Sequence, residues 1–166
     1  ELLPGSIAGL VHADTDRDCL LDADEQPLAG VTIELLDSTG RVAASTQTDS
    51  TGRYRFDGLA PGTYTVRERQ PAGYFQGGQR AGSGGGDASL EDVISAIAVG
   101  SSRALTDYDF CEVPPSSLTG RVYLDLNQNC RWDDGEQPLS GVAIRLLDSA
   151  GRVQAATTTD ADGRYR

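Results

Sequence analysis

Along residues 6–113, short runs in which apolar and polar positions alternate are separated by turn sequences, the period of two expected of half-buried strands. Ser6 to His12 alternates into a first strand. Gly30 to Leu36 forms a second, with Val31, Ile33 and Leu35 on one face. Asp37-Ser38-Thr39-Gly40 is a hairpin-type turn, and Arg41 to Thr48 is the returning strand. Asp49-Ser50-Thr51-Gly52 turns again into Arg53 to Phe56, whose Tyr54 and Phe56 share a face. Pro61-Gly62 leads into Thr63 to Arg69, with Tyr64 and Val66 pointing inward. Gln70 to Ser89 is Gly-rich and polar, which predicts an irregular surface loop. Val93 to Val99 is β-branched enough for a buried strand, although the run from Leu90 also fits a short helix. Leu105 to Cys111 closes the set. Seven or eight short strands in about 110 residues predict an all-β sandwich.

The pattern then repeats. Shifting the chain by 111 residues lays it on itself without a gap, and 28 of the 50 positions from Ser6 to Arg55 are identical to those from Ser117 to Arg166. Identity of that density predicts tandem domains. The expected division is a linker from a preceding unit at 1–5, a first domain at 6–113, a stiff Pro-rich linker at 114–117, and the N-terminal half of a second domain at 118–166.

Between the first and second strands of each copy lies an acidic stretch. Asp14 to Glu25 reads DTDRDCLLDADE, with carboxylates at its first, third, fifth, ninth and twelfth positions: Asp14, Asp16, Asp18, Asp22 and Glu25. Asp125 to Glu136 repeats the frame with Asp125, Asn127, Asn129, Asp133 and Glu136. This is the spacing of a twelve-residue calcium loop, in which the seventh residue, Leu20 or Arg131, gives a backbone carbonyl. A hard divalent cation needs six to eight oxygens at short range, which alternate residues of one loop can turn inward. At the five side-chain ligand positions the first loop has five carboxylates and the second three, so tighter calcium binding is expected at the first. The competing reading is a pair of solvated acidic turns. In both loops the sixth position, Gly in an EF-hand, is a cysteine, Cys19 or Cys130. A positive φ there costs a non-Gly residue on the order of 1 kcal/mol.

The net charge of -11 makes nucleic acid and anionic membranes poor partners. No apolar run reaches bilayer-spanning length, so no membrane insertion is expected in this segment. All fourteen basic residues are Arg. The Gly-rich run at 82–86 lacks the Lys and helix start of a phosphate loop, and no Ser/His/Asp or Cys/His set recurs in both copies. No enzymatic activity is expected.

The motif string that starts at G-x-V-x-x-D, continues through EQPLAGVTIELLD and TDSTGRYRF, and ends in PGTYTVRE and PAGY resembles the B-type repeat domain of SD-repeat bacterial surface proteins, which are related to collagen-adhesin B-type domains. The resemblance covers the first unit and all that is present of the second. It implies a prealbumin-type, immunoglobulin-like sandwich and tandem arrays on secreted or wall-attached proteins. It also implies calcium at the ten side chains named above, stiffening a stalk. Members usually carry Gly where Cys19 and Cys130 stand. Several relatives form a Lys–Asn crosslink assisted by an acid at the place of Glu68; without Lys that crosslink has no donor here, and Glu68 is expected to be a plain strand residue.

In such a sandwich the loop after the first strand and the end of the last strand share a pole, which suggests a Cys19–Cys111 disulfide with Cys130 left over. A Cys111–Cys130 pair or three reduced thiols are the alternatives. A disulfide would imply an oxidising, extracellular compartment. His12, replaced by Tyr123 in the second copy, is not expected to act as a ligand, and Trp132 is expected to pack on the sandwich edge. Asp107 and Asp109 are expected to face solvent, the alternative being that they add oxygens to the loop or hold a second cation near it. Asp49, Asp160 and Asp162 fit Asx turns. The functional expectation is a calcium-stiffened spacer whose partners are neighbouring repeats. The alternative is an adhesin module that meets an extracellular protein or polysaccharide through its Gly-rich loop, Gln70 to Ser89, or an exposed sheet. A dockerin-like module fits less well, because both loops run into strands rather than helices.

Overall fold

The computed structural model describes residues 2–166; Glu1, part of the expected leading linker, lies outside the described residues. The chain forms two compact units, one ending at Pro115 and one spanning Ser116–Arg166. Every regular element among the described residues is a strand, so no helix is long and apolar enough to cross a membrane.

In the first unit the strands are β1 (Gly5–Ala13), β2 (Gln26–Pro27), β3 (Thr32–Leu36), β4 (Val42–Gln47), β5 (Arg53–Leu59), β6 (Gly62–Glu68), β7 (Phe75–Arg80), β8 (Asp87–Leu90), β9 (Val93–Val99), β10 (Ala104–Leu105) and β11 (Asp109–Val113). One sheet runs β10-β1-β11-β7, with β2 and β5 also paired to β1; the other runs β4-β3-β6-β9-β8. Their inner faces meet in a single core. Ile7, Val11, Tyr54, Phe56 and Phe110 of the first sheet pack against Ile33, Leu35, Val66, Ile94 and Ile97 of the second. This is an immunoglobulin-like β-sandwich.

Two expectations are corrected, and the run at 93–99 takes the first of its two readings. The presumed loop at 70–89 contains two strands: β7 pairs antiparallel with β11 (Phe110 opposite Gln79) and β8 with β9. The sequence QGGQ hides a strand because the position facing β11 has no room for a side chain. A Cβ on Gly77 would lie 2.5 Å from the Cys111 carbonyl oxygen. The run at 93–99 is strand, not helix, with Ala96 at φ 56° beside a register shift against β6. The closing strand is broken in two. β1 pairs in parallel with β10 (Ile7 opposite Leu105) and then with β11 (Val11 opposite Phe110), so one extra residue must bulge out between them. Asp107 takes up that excess at φ 67°. At the leading end, Leu3 is already tied down, its N–H donating to Ser101 Oγ (2.9 Å) and its carbonyl accepting from Ser102 N (3.0 Å).

The second unit contains β12 (Gly120–Arg121), β13 (Tyr123–Leu124), β14 (Gln137–Pro138), β15 (Ala143–Leu147), β16 (Val153–Thr158) and β17 (Arg164–Tyr165). These repeat β1 to β5 in detail. Thr48 accepts from Val31 N (2.9 Å) and donates to the Leu28 carbonyl (2.6 Å), and Thr159 does the same with Val142 N (2.9 Å) and Leu139 (2.7 Å). The four-residue turns recur as Asx turns. Asp49 caps Thr51 N and Arg53 N, and Asp160 caps Asp162 N and Arg164 N, so Asp162 is the capped residue rather than a cap.

Candidate metal loops and the pole of the sandwich

The first loop leaves β1 at Asp14, whose buried carboxylate is the hub. Its Oδ1 accepts from Arg17 N (2.5 Å) and its Oδ2 from Cys19 N (2.9 Å). Asp16 then accepts from Asp18 N (3.2 Å), and Asp18 from Leu20 N (2.8 Å). These successive bonds curl the chain, with Arg17 at φ 69° and Cys19 at φ 57°. As a result Asp14, Asp16 and Asp18 each bring a carboxylate oxygen within 4.8 Å of the others. Glu25 closes the ring: Oε1 accepts from Thr15 N (2.7 Å) and Oε2 from Asp22 N (3.2 Å). Asp22 joins through its backbone; its carboxylate is not among the clustered oxygens. Partial desolvation, followed by the charges of Asp18, Asp14 and Glu25, raises the Asp16 pKa. Desolvation also acts upward on Glu25, but the N–H groups of Thr15 and Asp22 together with His12 outweigh it and lower its pKa.

The second loop has the same frame. Asp125 Oδ2 accepts from Cys130 N (2.8 Å), and Asn127 and Asn129 accept from Asn129 N (3.1 Å) and Arg131 N (2.7 Å). Glu136 accepts from Leu126 N and Asp133 N (both 3.1 Å), while Gln128 and Cys130 take φ 61° and 58°. The side chains differ in action. The amides of Asn127 and Asn129 donate to Asp133 Oδ2 (2.9 and 2.6 Å) and lower its pKa.

A Cys19–Cys111 disulfide fastens the first loop to the end of β11, with Cα atoms 5.4 Å apart, while Cys130 is a free, exposed cysteine. The residues outside the ring depart from expectation in several places. His12 is fully buried beneath the first loop, Nε2 3.7 Å from Glu25 Oε2. It lies near Asp14 and Cys111, but the Cys111 sulfur is committed to the disulfide. Asp109 is buried rather than solvent-facing; it accepts from Leu10 N (3.0 Å) and pairs with Arg80 (2.5 Å). Asp107 is exposed and bonded to Thr106 (2.8 Å). Neither belongs to the loop's carboxylate group. Trp132 stacks edge-on against Tyr123 at 5.4 Å, with Arg121 over its ring at 4.4 Å.

Glu68 is not a plain strand residue. It is 3% exposed and lies with Glu112 and Asp92 in a second carboxylate group at one end of the space between the sheets. Burial, followed by the charges of Glu112 and Asp92, pushes Glu68 well up; burial likewise raises Glu112 against the opposing Gln70 amide. The alternation carried a signal for this: Tyr64, Val66 and Glu68 share a strand face, as do Phe110 and Glu112.

Fold and loops together define a class, an immunoglobulin-like sandwich module with an acidic, cysteine-bearing loop after its first strand. The chain belongs to the SdrD B-like domain family, whose model matches residues 5–110 and again 116–166. It is 33% identical over 164 residues to serine-aspartate repeat-containing protein F of Staphylococcus epidermidis, covering 97% of this chain and 10% of that protein. To serine-aspartate repeat-containing protein C of Staphylococcus aureus (strain N315) it is 34% identical over 163 residues, covering 97% of this chain and 17% of that one. The chain thus spans only a small part of the length of these relatives. Among solved structures, the minor pilin GBS52 of Streptococcus agalactiae is similar at 25% identity and TM-score 0.44, over 72% of this chain and 49% of that chain.

Proposed function

We propose that this chain is a calcium-stiffened spacer segment of a secreted or cell-surface bacterial protein, working beside neighbouring domains of the same polypeptide and catalysing nothing. The observation that supports this most directly is the recurrence of one loop frame at both sites, each built from backbone N–H groups capping side-chain oxygens at matching positions. Asp14, Asp16, Asp18, Asp22 and Glu25, with the Leu20 carbonyl, would hold calcium in the first loop. Asp125, Asn127, Asn129, Asp133 and Glu136, with the Arg131 carbonyl, would hold it in the second. Bound calcium supplies charge neutralisation and a rigid oxygen cage. Asp16 already feels its carboxylate neighbours, and removing that repulsion fixes the pole of the sandwich. The disulfide supports an oxidising, extracellular setting. The adhesin reading placed its contact on the Gly-rich segment or an exposed sheet, and two stretches of that segment are paired strand, which leaves less of it free.

The test is to add a chelator to the intact chain. The melting temperature should fall and the hydrodynamic radius should grow, both restored by calcium and not by an equal concentration of sodium. An unchanged melting temperature and radius would leave only an acidic bead on a string.

A further inference from the structure

The carboxylates of Glu68, Glu112 and Asp92 belong to neither loop. Glu68 comes from the end of β6, Asp92 from the turn between β8 and β9, and Glu112 from β11, so both sheets contribute. Each offers an oxygen within 4.8 Å of the other two. Glu112 is fully buried and Glu68 nearly so, while Asp92 is partly exposed and opens the group to solvent. No described cation neutralises them. The chain has no Lys, Arg67 and Arg69 are both engaged by Glu34, and Arg80 is engaged by Asp109. Neither oxygen of Glu68 has a hydrogen-bond donor, and one oxygen each of Glu112 and Asp92 is also buried without a partner. The carboxylate of Glu112 shares a hydrogen bond with Glu68 only if a proton sits between them. A Gln70 amide covers the other Glu112 oxygen.

We propose that Glu68, Glu112 and Asp92 form a further divalent-cation site, suited to calcium, that ties the two sheets together at the end of the sandwich core. Calcium accepts a flexible shell of oxygens with bidentate carboxylates, whereas magnesium demands a near-ideal octahedron and keeps several waters, so a mostly buried carboxylate group favours calcium. Carboxylates binding through both oxygens, a rotated Gln70 amide and water on the Asp92 side complete a set of six to eight. An unpaired buried carboxylate is costly, and a cation replaces the protons that the group otherwise holds. This site stands independently of the loop reading.

Calcium bound per chain, counted by equilibrium dialysis, tests it on the intact chain. In a variant with both loops silenced (Asp16→Asn, Asp18→Asn, Asp22→Asn, Asp133→Asn, Glu136→Gln), one calcium should remain. Adding Glu68→Gln should weaken it at least tenfold, and adding Asp92→Asn instead should weaken it less. The loss of ions between the original chain and the silenced variant reports separately on the loops. The proposal is overturned if the silenced chain binds no calcium, or if Glu68→Gln leaves the remaining ion in place. It is equally overturned if Glu68→Gln raises the melting temperature of the silenced chain by the same amount in calcium and in chelator. That result would mark a pair that shares only a proton.

Discussion

The loops at 14–25 and 125–136 have one backbone and two chemistries. The acids at positions one and twelve, the left-handed residues at four and six, and the N–H groups that cap the side chains at positions one, three, five and twelve are common to both. The middle of the ring differs. Carboxylates crowd one another in the first loop, whereas in the second, amides donate to Asp133 and relieve it. The first loop is also fastened to β11 by a disulfide, and the second ends in a free cysteine. The lesson is that the frame depends on the first and twelfth residues and on backbone conformation. Positions three and five are free to set charge, and position six is free to carry a crosslink.

The largest expected break in this comparison is at position six. Cys19→Gly keeps a residue suited to φ 57° and removes only the crosslink across 92 residues. Chain entropy puts the loss at about 4–5 kcal/mol. Denaturant unfolding followed by circular dichroism should show the midpoint fall, and a similar fall in Cys111→Ser would confirm that the crosslink is the cause.

Next in size is conversion of the second loop toward the first. Asn127→Asp with Asn129→Asp should tighten calcium binding there about tenfold, measured by calorimetry, because ligand charge sets affinity on a fixed frame. Weaker binding would mean that crowding outweighs charge, and would also reverse the expected order of the two loops.

A smaller effect is expected where Glu34 of the first unit is replaced by Arg145 in the second. Arg67 and then Arg69 hold the buried Glu34 carboxyl below its ordinary value. A depressed folded pKa means stability that is present above the unfolded value of 4.5 and lost as pH falls through the folded one. Glu34→Gln should therefore cost about 1 kcal/mol at neutral pH, discounted for the exposed arginines, and should flatten the acid limb of a stability–pH profile. The smallest effect is at Cys130, where no crosslink offsets the turn. Cys130→Gly should relieve at most about 1 kcal/mol, seen as no more than about fivefold tighter calcium binding in the second loop. It is opposite in sign to the same change at position 19.

How much was legible depended on whether the signal was local. The turns at Asp37 and Asp49, the strand faces of Ile33 with Leu35 and of Tyr54 with Phe56, and the loop frame all follow from residues within a few positions of one another. The strand β7 did not, because its partner, β11, lies about thirty residues away and its Gly77 answers to that neighbour's carbonyl. Glu68 was misplaced for a related reason: its face was readable, but the acids of Asp92 and Glu112 that meet it come from other strands and turns.

The two copies make the division plain. Leu35 is 1% exposed, and Leu146, the same residue in the same strand pattern, is 48% exposed, because the second unit contains counterparts of β1 to β5 only. By itself the sequence determined alternation, turns, the repeat and the acidic loop frame, since each is enforced by backbone sterics and nearest neighbours. Only the tertiary structure decided burial, the path of β7 and the meeting of three acids from separate elements. Those depend on which distant strands are there to exclude water.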